Sequence, residues 1–173
     1  MREIYKSKIG NILIESDGEN IIKCEFVDYF VEQGTDEIIE KCKKYLDDYF
    51  SGEIIGKFEN FRIEKSDYAT KILMLVYEIP YGTTATYTDI KEKYEKIYNI
   101  KTSARAVGRA VGSNDLMILV PCHRVIGKNN TLTGYKFGIE KKKYLLDLEQ
   151  NHKSSVNIWA MFTKLQQMFL SDF

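Results

Sequence analysis

The chain has 173 residues, 44% of them hydrophobic, and its 25 Lys and Arg balance 25 Asp and Glu. That suits one domain or two small ones with a buried core. It excludes a membrane span, which needs about eighteen apolar residues in a row, and Met1-Arg2-Glu3-Ile4 lacks the apolar core of a signal peptide. Cys24, Cys42 and Cys122 are odd in number and widely spaced, with no Cys-x-x-Cys. Neither a disulfide framework nor a zinc site is expected, and no cofactor; a cytoplasmic home, or a nuclear one in a eukaryote, fits. The balanced charge is unevenly spread. Residues 1–65 carry 10 Lys and Arg against 15 Asp and Glu, a net of −5, whereas residues 66–150 carry 13 against 9, a net of +4. The second stretch is the one suited to a polyanion.

In chain order, residues 2–8, 11–16 and 20–26 are short, rich in Ile and Val, and separated by the turn signals Gly10-Asn11 and Asp17-Gly18. They predict an antiparallel meander. A helix follows over Asp36–Phe50, with Thr35 or Asp36 as N-cap and Gly52 beyond its end. Its apolar stripe is Ile38, Ile39, Cys42, Tyr45, Leu46 and Tyr49, which makes Cys42 a core residue; Cys24 is another. A short strand is expected near Phe58–Ile63. A second helix runs over Asp67–Glu78 and stops at Pro80. Two further helices, 88–97 and 103–112, have helix-turn-helix spacing. The apolar run Leu116–Val120 reads as a strand ended by Pro121. Gly127-Lys128-Asn129-Asn130 suggests a small hairpin or wing, and a last helix spans Ile139–Glu149. The tail 151–173 places Ile158, Trp159, Phe162, Leu165, Met168 and Phe169 near helical spacing.

Three clusters carry chemistry. Pro121-Cys122-His123-Arg124-Val125 puts a thiol beside an imidazole where a rigid element meets a loop. Cys122 is the candidate nucleophile and needs its pKa lowered. Neighbours in an extended segment face opposite ways, so His123 would reach the thiol through a turn or a bridging water. A carboxylate should orient the imidazole, and Glu149, at the end of the last helix, is a candidate. The second cluster is Ser103–Asn114, where Ala104, Gly108 and Gly112 form a small-residue face. Helical glycines cost about 1 kcal/mol each relative to Ala. Close approach of another surface would compensate: either DNA, with Arg105 and Arg109 near phosphates or bases, or a neighbouring helix. The third is Tyr81–Asp89, where Tyr87 at a helix entry is a proton donor, a stacking ring or a packed core tyrosine.

In this order the clusters resemble the O6-alkylguanine-DNA alkyltransferases, or methylated-DNA–protein-cysteine methyltransferases. The matching pieces are Ile79-Pro-Tyr-Gly-Thr, Thr86-Tyr87, Ala104-Arg-Ala-Val-Gly, Ser113-Asn114, Ile118-Leu-Val-Pro-Cys-His-Arg-Val-Ile-Gly, Leu132-Thr-Gly-Tyr-Lys-Phe-Gly and Lys143-Tyr-Leu-Leu-Asp-Leu-Glu149. The match is dense over 68–150; the first half matches in organisation, plus Tyr49-Phe-Ser-Gly.

The resemblance implies an α+β chain. Residues 1–65 would form a ribonuclease-H-like sheet-and-helix domain. Residues 66–150 would form a winged helix-turn-helix alkyltransferase domain, and 151–173 a helical tail. It implies a monomer that binds the minor groove of double-stranded DNA carrying O6-alkylguanine. Cys122 would take the alkyl group once and irreversibly. His123, through a water, and Glu149 would help form the thiolate. Asn114 would be a structural hinge, and Tyr87 would donate to guanine N3. The carbonyls of Cys122 and Val125 would accept from the guanine amino group, with Tyr135 and the Lys136 N–H lining the O6 side. Arg105 would fill the gap left by the flipped base, beside a DNA-facing helix that includes Ser103, Ala104, Gly108 and Arg109. The segment 91–99 is longer than the family pattern, Lys136 stands where some members have Ser, and the tail has no counterpart. The competing readings are three: an alkyltransferase-like lesion sensor, which would lack the cysteine; a helix-turn-helix transcription factor, which leaves Pro-Cys-His and Tyr87 unexplained; and a cysteine hydrolase, which needs an oxyanion hole.

Overall fold

The computed structural model describes residues 1–53 and 56–152. The three predicted strands form as β1 (Arg2–Ser7), β2 (Gly10–Ser16) and β3 (Ile21–Val27), an antiparallel sheet in that order. Ile4 lies opposite Leu13, and Ile14 opposite Cys24. Helix α1 (Glu37–Ser51) begins where the Asp36 carboxylate accepts from the Ile39 N–H at 2.8 Å, satisfying one of the free amides of the first turn. It ends at Gly52, whose φ of 87° is left-handed and therefore suits glycine. Its buried stripe of Ile39, Cys42, Leu46, Tyr49 and Phe50 joins Ile12, Ile14, Ile21 and Cys24 in one core.

The α+β architecture continues with α2 (Asp67–Tyr77), β4 (Ala85–Thr86), α3 (Tyr87–Tyr98), α4 (Ala104–Gly112) and β5 (Val125–Ile126). The last helix, α5, covers 139–152 of the described residues. The predicted tail helix therefore lies, beyond Asn151 and His152, outside the described residues. The longer 91–99 segment simply extends α3. Tyr94 is buried and packs between Tyr68 and Tyr98, and Asn99 closes the helix in the left-handed region.

Three expectations need correction. The strand near Phe58–Ile63 shrinks to a single bridge between Phe61 and Ile21. The strand at Leu116–Val120 also fails: only Leu116 pairs with the sheet, alongside Cys24. The reason is shared. The outer edge of β3 is divided, with Ile21 given to Phe61 and Cys24 to Leu116, so neither stretch has an edge long enough for a ladder. After Leu116 the chain folds into a tight buried turn, with Val120 N–H donating to Leu116 C=O at 2.7 Å. Ile118 adopts a φ of 68° there, a left-handed conformation that costs a side-chain-bearing residue about 1–2 kcal/mol. Asn114 makes the turn possible. Its side chain donates to the Val120 carbonyl (2.9 Å) and accepts from the Leu116 N–H (3.0 Å), taking over partners that a strand would have supplied.

The third correction concerns the wing. Residues 127–131 form a turn closed by the Gly127 N–H on the Thr131 carbonyl at 2.9 Å. The strand before it, β5, pairs in parallel with β4, so that Ala85 faces Val125 and Thr86 faces Ile126. Beyond the Gly127–Thr131 closure no hairpin ladder forms among the described residues. The β4–β5 contact instead brings the start of α3 next to the Cys122 turn.

The end of α1 rests on α5. A Cβ built on Gly52 would lie 1.6 Å from the His152 ring. Gly52→Ala is therefore expected to lower stability by about 1–2 kcal/mol from backbone strain, read by urea unfolding. It should also displace the His152 imidazole, read by NMR.

Candidate active site

Pro121 is followed by a single 3-10 turn, Cys122–Arg124, rather than by an extended loop. The turn is buried throughout; Cys122 is 6% exposed and His123 0%. His123 and Arg124 both reach Glu149, whereas Cys122 sits beside Asn114 and Tyr135. No hydrogen bond joins Cys122 to His123 among the described residues. His123 instead points its Nε2 at Glu149 Oε1, 2.6 Å away.

Glu149 gathers the site. Besides His123 it accepts from Tyr49 Oη (2.8 Å), the Gly82 N–H (2.9 Å) and Arg124, whose Nε and Nη2 approach at 2.9–3.1 Å. Arg124 also donates to the Ile79 carbonyl at 2.7 Å and stacks its guanidinium over Tyr81. Burial alone would push the Glu149 carboxyl up, but His123 and Arg124 outweigh it and hold it well below the usual carboxylate range. Glu149 is thus an anion, and an anionic carboxylate only accepts hydrogen bonds. His123 must then carry its proton on Nε2, which leaves the lone pair on Nδ1. That Nδ1 is buried and makes no hydrogen bond. Burial also pulls the imidazole below its ordinary 6.5, against the opposing pull of Glu149. The result is a neutral imidazole with a free basic nitrogen. Glu149 lies inside α5, which among the described residues continues to His152, rather than at its end as the sequence suggested.

Burial pushes the Cys122 thiol above its ordinary value; Asn114, Lys142 and Tyr135 act against that push. The resting sulfur is a thiol that needs a base to ionise. Tyr135 brings its hydroxyl close to the sulfur, buried and without a well-formed hydrogen bond. Lys142 is fully buried, and its ammonium spans the carbonyls of Val125 (2.7 Å) and Thr133 (3.0 Å). Burial lowers it to about 8. The Val125 carbonyl thus already accepts one bond, as does the Cys122 carbonyl, from the Val125 N–H. Each keeps a second lone pair.

Tyr87 is the first residue of α3, set by a capping box in which Thr86 and Asp89 each hold the other's backbone N–H. Its phenol lies 3.3 Å from the Gly134 carbonyl. Burial, then the nearby Cys122, raises it above its ordinary pKa. Ser103 caps α4, accepting from the Ala106 N–H at 3.2 Å. Ala104, Arg105, Gly108 and Arg109 line one side of an open groove of about 620 Å³, with Tyr87 and Tyr135 on its floor side. Lys136 reaches the same groove, but its ammonium is bound by Glu25 (2.6 Å) and Asp115 (2.9 Å). The groove therefore leads toward Cys122, with Tyr135 standing between.

The comparisons with known proteins agree in both halves. Residues 67–151 match the family model of the 6-O-methylguanine DNA methyltransferase DNA-binding domain. Residues 1–64 match that of its ribonuclease-like domain. This chain belongs to the O6-methylguanine DNA methyltransferase family. It is 38% identical over 155 residues to the methylated-DNA–protein-cysteine methyltransferase of Methanosarcina acetivorans, covering 84% of this chain and 96% of that one. It is 36% identical to the Haemophilus influenzae protein of the same name, covering 84% of each. The structure of Mycobacterium tuberculosis OGT in complex with DNA superposes with a TM-score of 0.76 at 30% identity, over 87% of this chain and 93% of that one.

Within this family member, sequence reasoning passed over Tyr49, Arg124 and Lys142. A signal existed for Arg124. The chain has only 5 Arg against 20 Lys, and an arginine kept in a lysine-rich chain suggests a bidentate carboxylate partner. Lys142 sits among three successive lysines and had no such mark. Asn114 offers the sharpest test here. Asn114→Ala leaves the buried Leu116 N–H unpaired, at about 1–3 kcal/mol, a loss that urea unfolding will read, and leaves the Val120 carbonyl with the Cys122 N–H as its partner. It should also raise the pH at which Cys122 reacts with an alkylating thiol probe.

Proposed function

We propose that the chain repairs double-stranded DNA by moving the alkyl group from O6 of guanine onto its own Cys122, once per molecule. The observation that carries this reading is the pairing of a buried thiol with a neutral imidazole whose basic nitrogen is unclaimed. In that arrangement His123 Nδ1 takes the thiol proton through one water. The sulfur then attacks the alkyl carbon in line, forming the S–C bond as the C–O6 bond breaks. The electrons of that bond pass to guanine. A proton on the ring lowers the barrier to that departure, and Tyr87 supplies it at N3 after releasing the Gly134 carbonyl. The free lone pairs of the Cys122 and Val125 carbonyls accept from the guanine amino group, while Tyr135 and the Lys136 N–H face O6. The thioether product is not hydrolysed, so the protein is a reagent consumed in the reaction.

Residues 66–150 do this chemistry as one domain, with residues 1–65 as a supporting domain. The base reaches Cys122 only by leaving the duplex, at a cost of a few kcal/mol. We assign α4 to the minor groove. A Cβ on Gly112 would meet nothing within 4 Å, and one on Gly108 only an ordinary contact with Tyr87. Packing inside the protein therefore does not call for these glycines, whereas close approach of a DNA backbone does. Arg105, exposed at the first turn of α4, fills the vacated place in the stack, and Arg109 and the cap residue Ser103 meet phosphates. The protein acts as a monomer, in the cytoplasm or a eukaryotic nucleus.

Mixing the protein with a duplex carrying O6-methylguanine and weighing the intact chain tests this. One added methylene-equivalent per chain is expected, lost in Cys122→Ser. Binding without any change in mass would make the protein a lesion sensor and end the proposal. Repeated turnover would do the same in favour of a hydrolase.

A further inference from the structure

Tyr49 lies outside the stretch that holds every other member of the reaction site. It is carried by α1, packed on the N-terminal sheet, and is 0% exposed. Its phenol nonetheless ends at the centre of the site, 2.8 Å from Glu149 Oε1 and 3.3 Å from His123 Nε2. Its ring meets His123 edge-on, with centroids 6.4 Å apart. Because Glu149 is an anion, the phenol must donate to it. It donates to Oε1, the same oxygen that receives the His123 N–H. The two donors share one source of negative charge, and every hydrogen bond given to that oxygen weakens its hold on the other.

We propose that Tyr49 is a positioning residue that tunes the base, so that the N-terminal part of the chain sets the basicity of His123. The proposal rests on the reading of Cys122 as the alkyl acceptor and His123 as its base. The titratable and charged groups facing His123 are Glu149 and Lys142 from α5, Arg124 from its own turn, and Tyr49 from α1. Of these, Glu149 alone favours the imidazolium. Donation by Tyr49 draws charge from Glu149 and keeps His123 neutral to lower pH. Without the phenol, Glu149 interacts more strongly with an imidazolium, and the proton stays on His123 to higher pH. Base catalysis is available only above the pKa of His123, so the acid limb of the alkylation rate must move with it.

The test is the single-turnover rate of Cys122 alkylation by an O6-methylguanine duplex across pH, for wild type and Tyr49→Phe. Phe keeps the packing and removes only the donor. The acid limb is expected to move to higher pH by about half to one unit, the effect of one hydrogen bond expressed as a pKa shift. The His123 titration followed by NMR without substrate should move in parallel. Superimposable profiles, or a shift to lower pH, would overturn the proposal and leave Tyr49 a packing residue. If Tyr49→Phe does not fold, 3-fluorotyrosine at position 49 decides. Its stronger donor must move the acid limb to lower pH, and no movement overturns the idea. Absence of alkylation in the wild type at every pH would instead defeat the functional reading itself.

Discussion

A carboxylate buried within a protein must be paired, or it costs several kcal/mol. Glu149 meets that requirement by collecting donors from every part of the fold that touches it. Tyr49 comes from α1, Gly82 from the turn after α2, His123 and Arg124 from the turn after Pro121, and Glu149 itself from α5. None of these segments can shift without taking a hydrogen bond from a buried charge. Gln150 strengthens the same joint by donating to the Gly82 carbonyl at 2.9 Å. The charge that holds the segments together also fixes the tautomer of His123. Fold and reactivity thus depend on one anion.

The surroundings of Cys122 follow from a second constraint, the need to keep a nucleophile steady without a strand beneath it. The sheet offers Leu116 only one residue of edge. Rigidity comes instead from full burial of residues 116–126, from Asn114 standing in for a ladder partner, and from Lys142 tying Val125 to Thr133. Lys142 links the thiol's own segment to the one that carries Tyr135. Its positive charge also favours the thiolate. The sulfur is nonetheless left protonated at rest, which protects a single-use residue until a base removes the proton.

Local pattern decided what was legible in the sequence. The strands, α1 to α4 and the caps at Asp36 and Gly52 follow from alternation, helical periodicity and capping residues, which act within a few positions. The motifs around Cys122 and Tyr87 identified the family, and Glu149 came with them. The failures were all long-range. Leu116–Val120 is apolar and β-branched enough for a strand, but the choice between strand and buried turn was made by the β3 edge and by the Asn114 side chain. The role of Tyr49 was equally invisible. On the stripe of α1 it is one more buried aromatic, and its partner lies one hundred residues away in sequence. Arg124 stands within the Cys122 motif, but its partners Glu149 and Ile79 lie 25 and 45 residues away in sequence.

The most direct measurement is made on Glu149→Gln, with stability by urea unfolding and alkyl transfer by single-turnover kinetics on an O6-methylguanine duplex. The account predicts a loss of about 3–5 kcal/mol, because Arg124 is left buried without its counter-charge. It also predicts a transfer rate lower by about 10²–10⁴-fold, because His123 loses the anion that fixes its tautomer. The depressed carboxyl adds a check. In the wild type its stabilisation is present above its ordinary value of 4.5 and is lost as pH falls toward its lower folded value; in the variant that acid dependence should flatten. A Glu149→Gln protein as stable and as reactive as the wild type would contradict the account.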